Sequence, residues 1–298
     1  MNRLLLLLII AILALPMTTR AEISLAPLEA VVQTADSLQP GLTGYQTIIH
    51  TARIAESIAS MTAAMPTDMP RPQVPVVIKY WRRGTPRSLI VAEGEQNSPF
   101  MQQMVQRVSS NLAIEPEGLI LPSGKAAERQ RLAEQATVRG TETKLADSVL
   151  QRVEIVFATP TDIGEAFYGN GLRLPQKDIV KLQFDIDVNT RTVRELVIQT
   201  ATGESLLAEI RYQPATGGFL PERVRVTSPD GKVDDRLEIT FTEVDGFLLP
   251  ARIVRSLNRP DLKDNLEVTF SNYRVNQPFP AEVDAQFVNP AIPPGKTP

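Results

Sequence analysis

Val180 to Val188 reads VKLQFDIDV. Val180, Leu182, Phe184, Ile186 and Val188 are apolar, and Lys181, Gln183, Asp185 and Asp187 fall between them. Side chains alternate between faces along a strand, so a period of two describes a half-buried antiparallel strand with one oily face. The pattern recurs at Leu206–Tyr212, Arg223–Thr227, Leu237–Thr242 and Leu266–Phe270. Turn chemistry separates the runs: Asn189-Thr190, Thr202-Gly203, Ala215 to Gly218, Pro229-Asp230-Gly231 and Asp245-Gly246. Asp-Gly between two strands is a strong hairpin signal. From Leu150 onward the chain therefore reads as a meander in which each strand pairs with its sequence neighbour. Val153–Phe157 opens it, and Thr159–Gln176 forms a long glycine-containing loop.

The front half is more mixed. Leu28, Val31, Val32, Ala35 and Leu38 recur at helical spacing, and Gln39-Pro40-Gly41 stops that helix. Tyr45 to Met65 supports two readings. Ile54, Ile58, Met61 and Met65 fit a helix, while the first residues alternate as a strand; a long first strand running into a methionine-rich loop is expected. Pro66, Pro70, Pro72 and Pro75 make a stiff connector. Val76–Trp81 and Arg87–Ala92 then read as a hairpin around Arg83-Gly84-Thr85. Ser98 and Pro99 suit the N-cap and first position of a helix that carries Phe100, Met101, Met104, Val105 and Val108 on one oily face. A polar helix is expected over Lys125–Gln135, and the proline-rich Pro278–Pro298 as an irregular tail. No linker divides residues 22–298, so they read as one domain.

Residues 1–21 carry the marks of a secretory signal. A basic start at Arg3 precedes an apolar run of 12 residues, Leu4–Leu15, and Thr19 and Ala21 stand where a signal peptidase reads. A spanning helix would need roughly 20 apolar residues. Cleavage after Ala21 and a periplasmic destination are expected. The chain has 31 basic and 34 acidic residues, and Arg3 and Arg20 would leave with the signal. That balance gives no footprint for nucleic acid. With no cysteine at all, thiol chemistry and disulfides are excluded, and stability must come from a hydrophobic core.

Catalytic patterns are missing. His50 is the only histidine and cannot build a two-histidine metal site. Asp185, Asp187 and Asn189 open like a calcium loop. The sixth position is Thr190 instead of glycine and the twelfth is Leu196 instead of glutamate, so a wet strand face entering a turn is the better reading. Asp234 and Asp235 are adjacent on a strand and point to opposite faces. Asp162 and Glu165 read as loop polarity. Tyr168-Gly169-Asn170-Gly171 lacks the strand-before, helix-after setting of a nucleotide loop. No G-x-S-x-G, P-loop or H-E-x-x-H occurs. The expectation is a protein that is no enzyme and needs neither cofactor nor metal.

Asp187-Val188-Asn189-Thr190-Arg191-Thr192 followed by Val193–Leu196 resembles the aspartate-led turn of LolA/LolB-like periplasmic lipoprotein carriers. Thr202-Gly203-Glu204 with Ile210–Tyr212, Asp245–Pro250, Tyr273–Pro278 and Phe287–Pro290 resemble later turns, the closing strand and the tail of that superfamily. The resemblance covers about a third of the chain. It implies a mainly β fold with some helix: one highly curved, unclosed antiparallel sheet (a half-barrel of about eleven strands) with helices over its concave face. Ser60–Pro75 and the Lys125–Gln135 helix depart from the pattern as insertions. Members carry acylated lipoproteins, bind other lipids or sense mislocalised lipoproteins. A periplasmic carrier of lipid or lipoprotein acyl chains is the function implied. An envelope-sensing or interaction module with an inner- or outer-membrane protein partner is the alternative. Alternation of the strands nominates Phe184, Ile186, Ile239, Phe241, Val268 and Phe270 as cavity lining, with Phe100, Met101 and Met104 on a lid helix.

Overall fold

The computed structural model describes residues 25–63, 73–85, 88–93, 112, 114–145 and 148–288. Among these, twelve strands form one antiparallel sheet that does not close. In chain order the elements are α1 (Ala26–Asp36), β1 (Gly44–His50), α2 (Ala52–Thr62), β2 (Val76–Arg82) and β3 (Leu89–Glu93). A 3-10 turn at Pro116–Gly118 and α3 (Ala126–Ala133) follow. Then come β4 (Ala136–Leu145), β5 (Ser148–Thr161), β6 (Ile179–Asp187), β7 (Thr192–Thr200), β8 (Ser205–Ala215) and β9 (Gly218–Thr227). The last described elements are β10 (Asp234–Val244), β11 (Phe247–Arg259), β12 (Leu262–Val275) and α4 (Ala281–Val288).

The sheet order is β3-β2-β1-β12-β11-β10-β9-β8-β7-β6-β5-β4. Neighbours in sequence pair from β4 to β12, and from β5 onward this is the meander that the turn rhythm predicts. The first three strands join at the far side, because β1 pairs with β12 through Ile49 and Phe270. Consequently β3 and β4, joined by one stretch of chain, stand on opposite edges.

The sheet is strongly curled, and Gln39 demonstrates it. Its amide donates to Thr216 O at the β8–β9 turn (2.7 Å), while its carbonyl accepts from Arg83, the residue after β2 (3.1 Å). β2 and β9 are five strand spacings apart, about 24 Å on a flat sheet. One residue can bond to both only if the strand ends curve towards each other. Arg83 strengthens this clasp by also donating to Leu42 O (2.6 Å), Leu38 O (2.7 Å) and Asp36 O (2.8 Å). The Gln39 side chain donates to Leu248 O and accepts from Leu248 N at the β10–β11 turn.

Four expectations need correction. The described part of Tyr45–Met65 is a short strand followed by α2. Thr51 is extended and its hydroxyl accepts from Arg53 N, which caps a helix whose Ile54 and Ile58, one turn apart, are buried. The strand count is twelve because ATVRGTETKL forms β4, paired along its length with β5. An edge strand with exposed faces has no apolar alternation to read. The tail is partly ordered: α4 lays Val283 and Phe287 with Phe279 over Ile78 and Tyr80 on the outer face of β2. β2 is thus buried on both faces. Asp185 and Asp187 are also not on a wet face. Asp185 is buried under a two-pronged bond from Arg152 (2.7 Å on each oxygen), and Asp187 accepts from the amides of Asn189 and Thr190.

The clasp is a polar tie at the rim of an otherwise apolar assembly. Arg83→Ala should lower unfolding free energy by about 2–3 kcal/mol through loss of charge-assisted bonds. Arg83→Lys should recover less than half of it, since one ammonium cannot serve four diverging carbonyls. Urea denaturation followed by circular dichroism checks both.

Candidate functional site

The inner face of the curled sheet gathers the nominated residues. Phe184 and Ile186 come from β6, Ile239 from β10, and Val268 and Phe270 from β12, all buried in one cluster that runs the breadth of the sheet. Phe241 on β10 is half-buried against the same cluster. Phe100, Met101 and Met104, with the expected Ser98–Pro99 helix start, lie outside the described residues. The single histidine stands at the end of β1, exposed, with Nε2 2.7 Å from the Ser271 hydroxyl. Among the described residues no cluster of histidine, aspartate and glutamate has the arrangement of a metal site.

The chain covers this face with its own segments. Residue 112 and residues 114–135, which precede β4, lie across it and bury Leu112, Ile114, Leu119, Ile120 and Leu121. The 162–176 stretch of the long loop folds inward and buries Ile163, Phe167, Tyr168, Leu172 and Leu174. Phe167 meets Phe184 at 5.9 Å between ring centres. The two segments hold each other: Leu121 N donates to Phe167 O (2.9 Å) and Gly169 N to Leu119 O (3.1 Å). The approach is so close that a Cβ on Gly169 would stand 2.8 Å from Gly118 O, which only glycine tolerates. Helix α1 lies alongside and buries Leu28, Val31 and Val32.

Arg129 of α3 unites these pieces. Its side chain is 0% exposed. It donates through Nη1 to Pro122 O (2.9 Å) and Ala166 O (3.0 Å), and through Nε and Nη2 to the Glu29 carboxylate of α1 (2.7 and 3.0 Å). One guanidinium therefore ties α1, the crossing segment and the inward loop into a single cover. Over the middle of the sheet this cover meets apolar side chains. Its polar ties to the sheet sit at the margins: the Gln39–Arg83 clasp, Arg259 to Arg173 O (2.9 Å), and a buried ion pair of Lys79 with Glu115.

The described pockets under the cover are small. One of about 40 Å³ opens at the rim between α1 and β8–β9, bounded by Val31, Leu38, Glu117, Tyr212 and Phe219. Burial first, and then the charge of Glu115, raise the Glu117 carboxyl above the ordinary glutamate range; a backbone hydrogen bond, Lys79 and Arg83 pull it back in part. A second, about 10 Å³, lies between Leu172, Val226 and Arg255. Burial lowers Arg255 to about 10, and its Nε is without a hydrogen-bond partner.

Strand alternation found the sheet side of this site and missed the cover. Arg129 sits in a largely polar helix whose one large apolar residue is Leu132, and it gave no sign. Lys79 did leave one: it is a lone charge within the apolar run Val76–Trp81.

No family model matches the chain, and no curated protein sequence matches it. Among solved structures it is similar to a LolA superfamily protein from Nitrosomonas europaea. That match is 11% identical, covers 87% of this chain and 96% of that one, and has a TM-score of 0.31. It is also similar to a DUF1329 family protein from Desulfovibrio piger, 10% identical over 88% of this chain and 95% of that one, with a TM-score of 0.34. At these scores the likenesses carry no weight, and the architecture rests on the strand order itself. That architecture, an open curled sheet with helices over its inner face, is the one the sequence resemblance implies.

Arg129→Met should loosen the cover without unfolding the sheet. The expected loss is about 2–3 kcal/mol, because Glu29 is exposed enough to regain water. Hydrogen exchange should accelerate in residues 26–36 and 114–135 while β6–β12 keep their protection. Glu117 gives a pH signature. A carboxyl raised by folding stabilises the fold below its unfolded value, and that contribution is lost as pH rises through the folded value. Glu117→Gln should therefore gain stability relative to the natural protein as pH increases from about 4.3, the ordinary glutamate value. Parallel thermal melts across pH check the divergence.

Proposed function

We propose that this protein binds apolar chains, the acyl chains of lipids or acylated lipoproteins, against the inner face of its sheet. It would act as a non-enzymatic carrier in the periplasm. The observation that carries the reading is the division of contacts. The cover is latched to itself through Arg129, while its contact with Phe184, Ile239, Val268 and their neighbours is apolar. A ligand that displaces it replaces one apolar contact with another. Each methylene buried contributes about 0.8 kcal/mol, and loss of the cover's own contacts offsets much of that. The balance gives moderate affinity, which suits a carrier that must release its cargo. The signal-like start, Leu4–Leu15 before Thr19 and Ala21, supports export. Among the described residues no helix is long and apolar enough to cross a membrane. Phe184, Ile186, Ile239, Phe241, Val268 and Phe270 line the sheet side in this reading, and Phe100, Met101 and Met104 contribute from the cover.

One observation favours the alternative of an interaction module. β4 is a ten-residue edge strand, paired on one side by β5, with Thr137, Arg139 and Thr141 exposed. Among the described residues no strand pairs with its other side, so its backbone groups there can accept a strand from a protein partner, although Arg139 and Lys144 are the kind of residue that discourages indiscriminate pairing.

The two readings separate in one experiment. Protein purified from a periplasm without detergent is analysed by native mass spectrometry and organic extraction. The carrier reading expects an adduct that extracts as lipid or acylated peptide, and reduced occupancy in Phe241→Gln, where a half-buried ring can be lost with little cost to folding. A clean apo mass that takes up no added acyl chain would contradict it, and recovery of a stoichiometric protein partner would favour the module.

A further inference from the structure

Lys79 stands in the middle of β2 and points to the inner face. Its register neighbours are Thr47 on β1 and Ile90 on β3. The side chain is 1% exposed, among the rings of Tyr45 (6.0 Å from Nζ to ring centre) and Phe270 (5.7 Å). An ammonium removed from water needs a counter-charge and hydrogen bonds to persist. Here Nζ lies 3.0 Å from Glu115 Oε2 and 3.4 Å from Ile114 O. The other Glu115 oxygen accepts from the Ser88 hydroxyl. Both acceptors of Lys79 belong to the crossing segment. Among the described residues, no carboxylate carried by the sheet forms an ion pair with it.

This arrangement constrains what can replace the cover. If residues 114–121 move away, Lys79 is left as an uncompensated cation at the margin of an oily surface. A wholly apolar ligand would bury it unpaired, at a large cost. A ligand with an acyl tail and one anionic head would restore the pair and lay its tail on Phe270 and onward to Val268.

We propose that Lys79 anchors the head group of an anionic amphiphile, a fatty-acid carboxylate or a lipid phosphate, and that Glu115 occupies this head-group site when the ligand is absent. The proposal rests on the reading of the inner face as an apolar-chain site. It adds a ligand class and a competition: the protein's own carboxylate must leave for the ligand's anion to enter. Charge-assisted pairing in such surroundings is strong enough to sort ligands that share one tail.

The test uses the full mature chain and three probes with the same tail, each below its micelle-forming concentration: oleate, oleoyl lysophosphatidate and the neutral monoolein. Calorimetric titration should give at least one of the two anions an affinity about tenfold or more above monoolein. Oleate alone would identify a carboxylate site, and lysophosphatidate alone a phosphate site. Lys79→Met should bring the three within about twofold of each other. Glu115→Gln should raise affinity for the preferred anion, whose head group no longer has to displace a carboxylate, whereas a purely structural ion pair outside the ligand's path would leave that affinity unchanged. Equal binding of all three probes by the natural protein, or an anion preference that survives Lys79→Met, overturns the head-group assignment while the apolar site stands. Failure of every probe to bind overturns both. Should Lys79→Met fail to fold, Glu115→Gln decides alone, and an affinity for the preferred anion no higher than that of the natural protein rejects the proposal.

Discussion

An open antiparallel sheet with one oily face must find a cover, and that constraint organises the whole molecule. A barrel would hide the face by joining its edges. Here β1 pairs with β12, which leaves β3 and β4 as the two edges of the sheet among the described residues. The chain between them has to travel from one margin of the sheet to the other. Its described stretch, residues 114–135, lies over the inner face and supplies Ile114, Leu119 and Leu121 to the core. The cover is thus a consequence of strand order.

Two kinds of contact then divide the structure by mobility. At the rim, Gln39 and Arg83 join elements distant in sequence and hold the curl. Inside, Arg129 binds the covering segments to one another and not to the strands. A layer with internal polar bonds and an apolar underside can shift as a unit without exposing unsatisfied groups in its middle. Among the ties from cover to sheet, Lys79 and Glu115 form a buried ion pair. That pair makes the exchange of cover for ligand sensitive to charge.

Much of the sheet was legible because alternation states directly which side chains share a face. VKLQFDIDV and its repeats located β6, β8 to β10 and β12, and Asp245-Gly246 located a hairpin. The misses have local causes. β4 has neither an oily face nor a turn motif of its own. Asp185 looked solvated because alternation assigns a face and cannot show that Arg152 closes over it. The inward 162–176 loop was hidden because glycines and prolines announce irregular backbone and say nothing of where Ile163 and Phe167 go. Arg129 and Glu29 are 100 residues apart in sequence, and no periodicity links them. Long-range polar ties of this sort belong to the folded object.

Trp81 is the only tryptophan in the chain, and it stacks on Tyr45, 5.2 Å between ring centres, beside Lys79 at the inner face. Its fluorescence therefore reports on that face alone. The decisive measurement is titration with a fatty acid brominated along its tail, compared with the unbrominated acid, while binding is followed independently by calorimetry. Saturable quenching of Trp81 by the brominated acid only, at the calorimetric stoichiometry, would place the chain on the inner face as the account predicts. Calorimetric binding that leaves Trp81 unquenched would put the ligand elsewhere and contradict it.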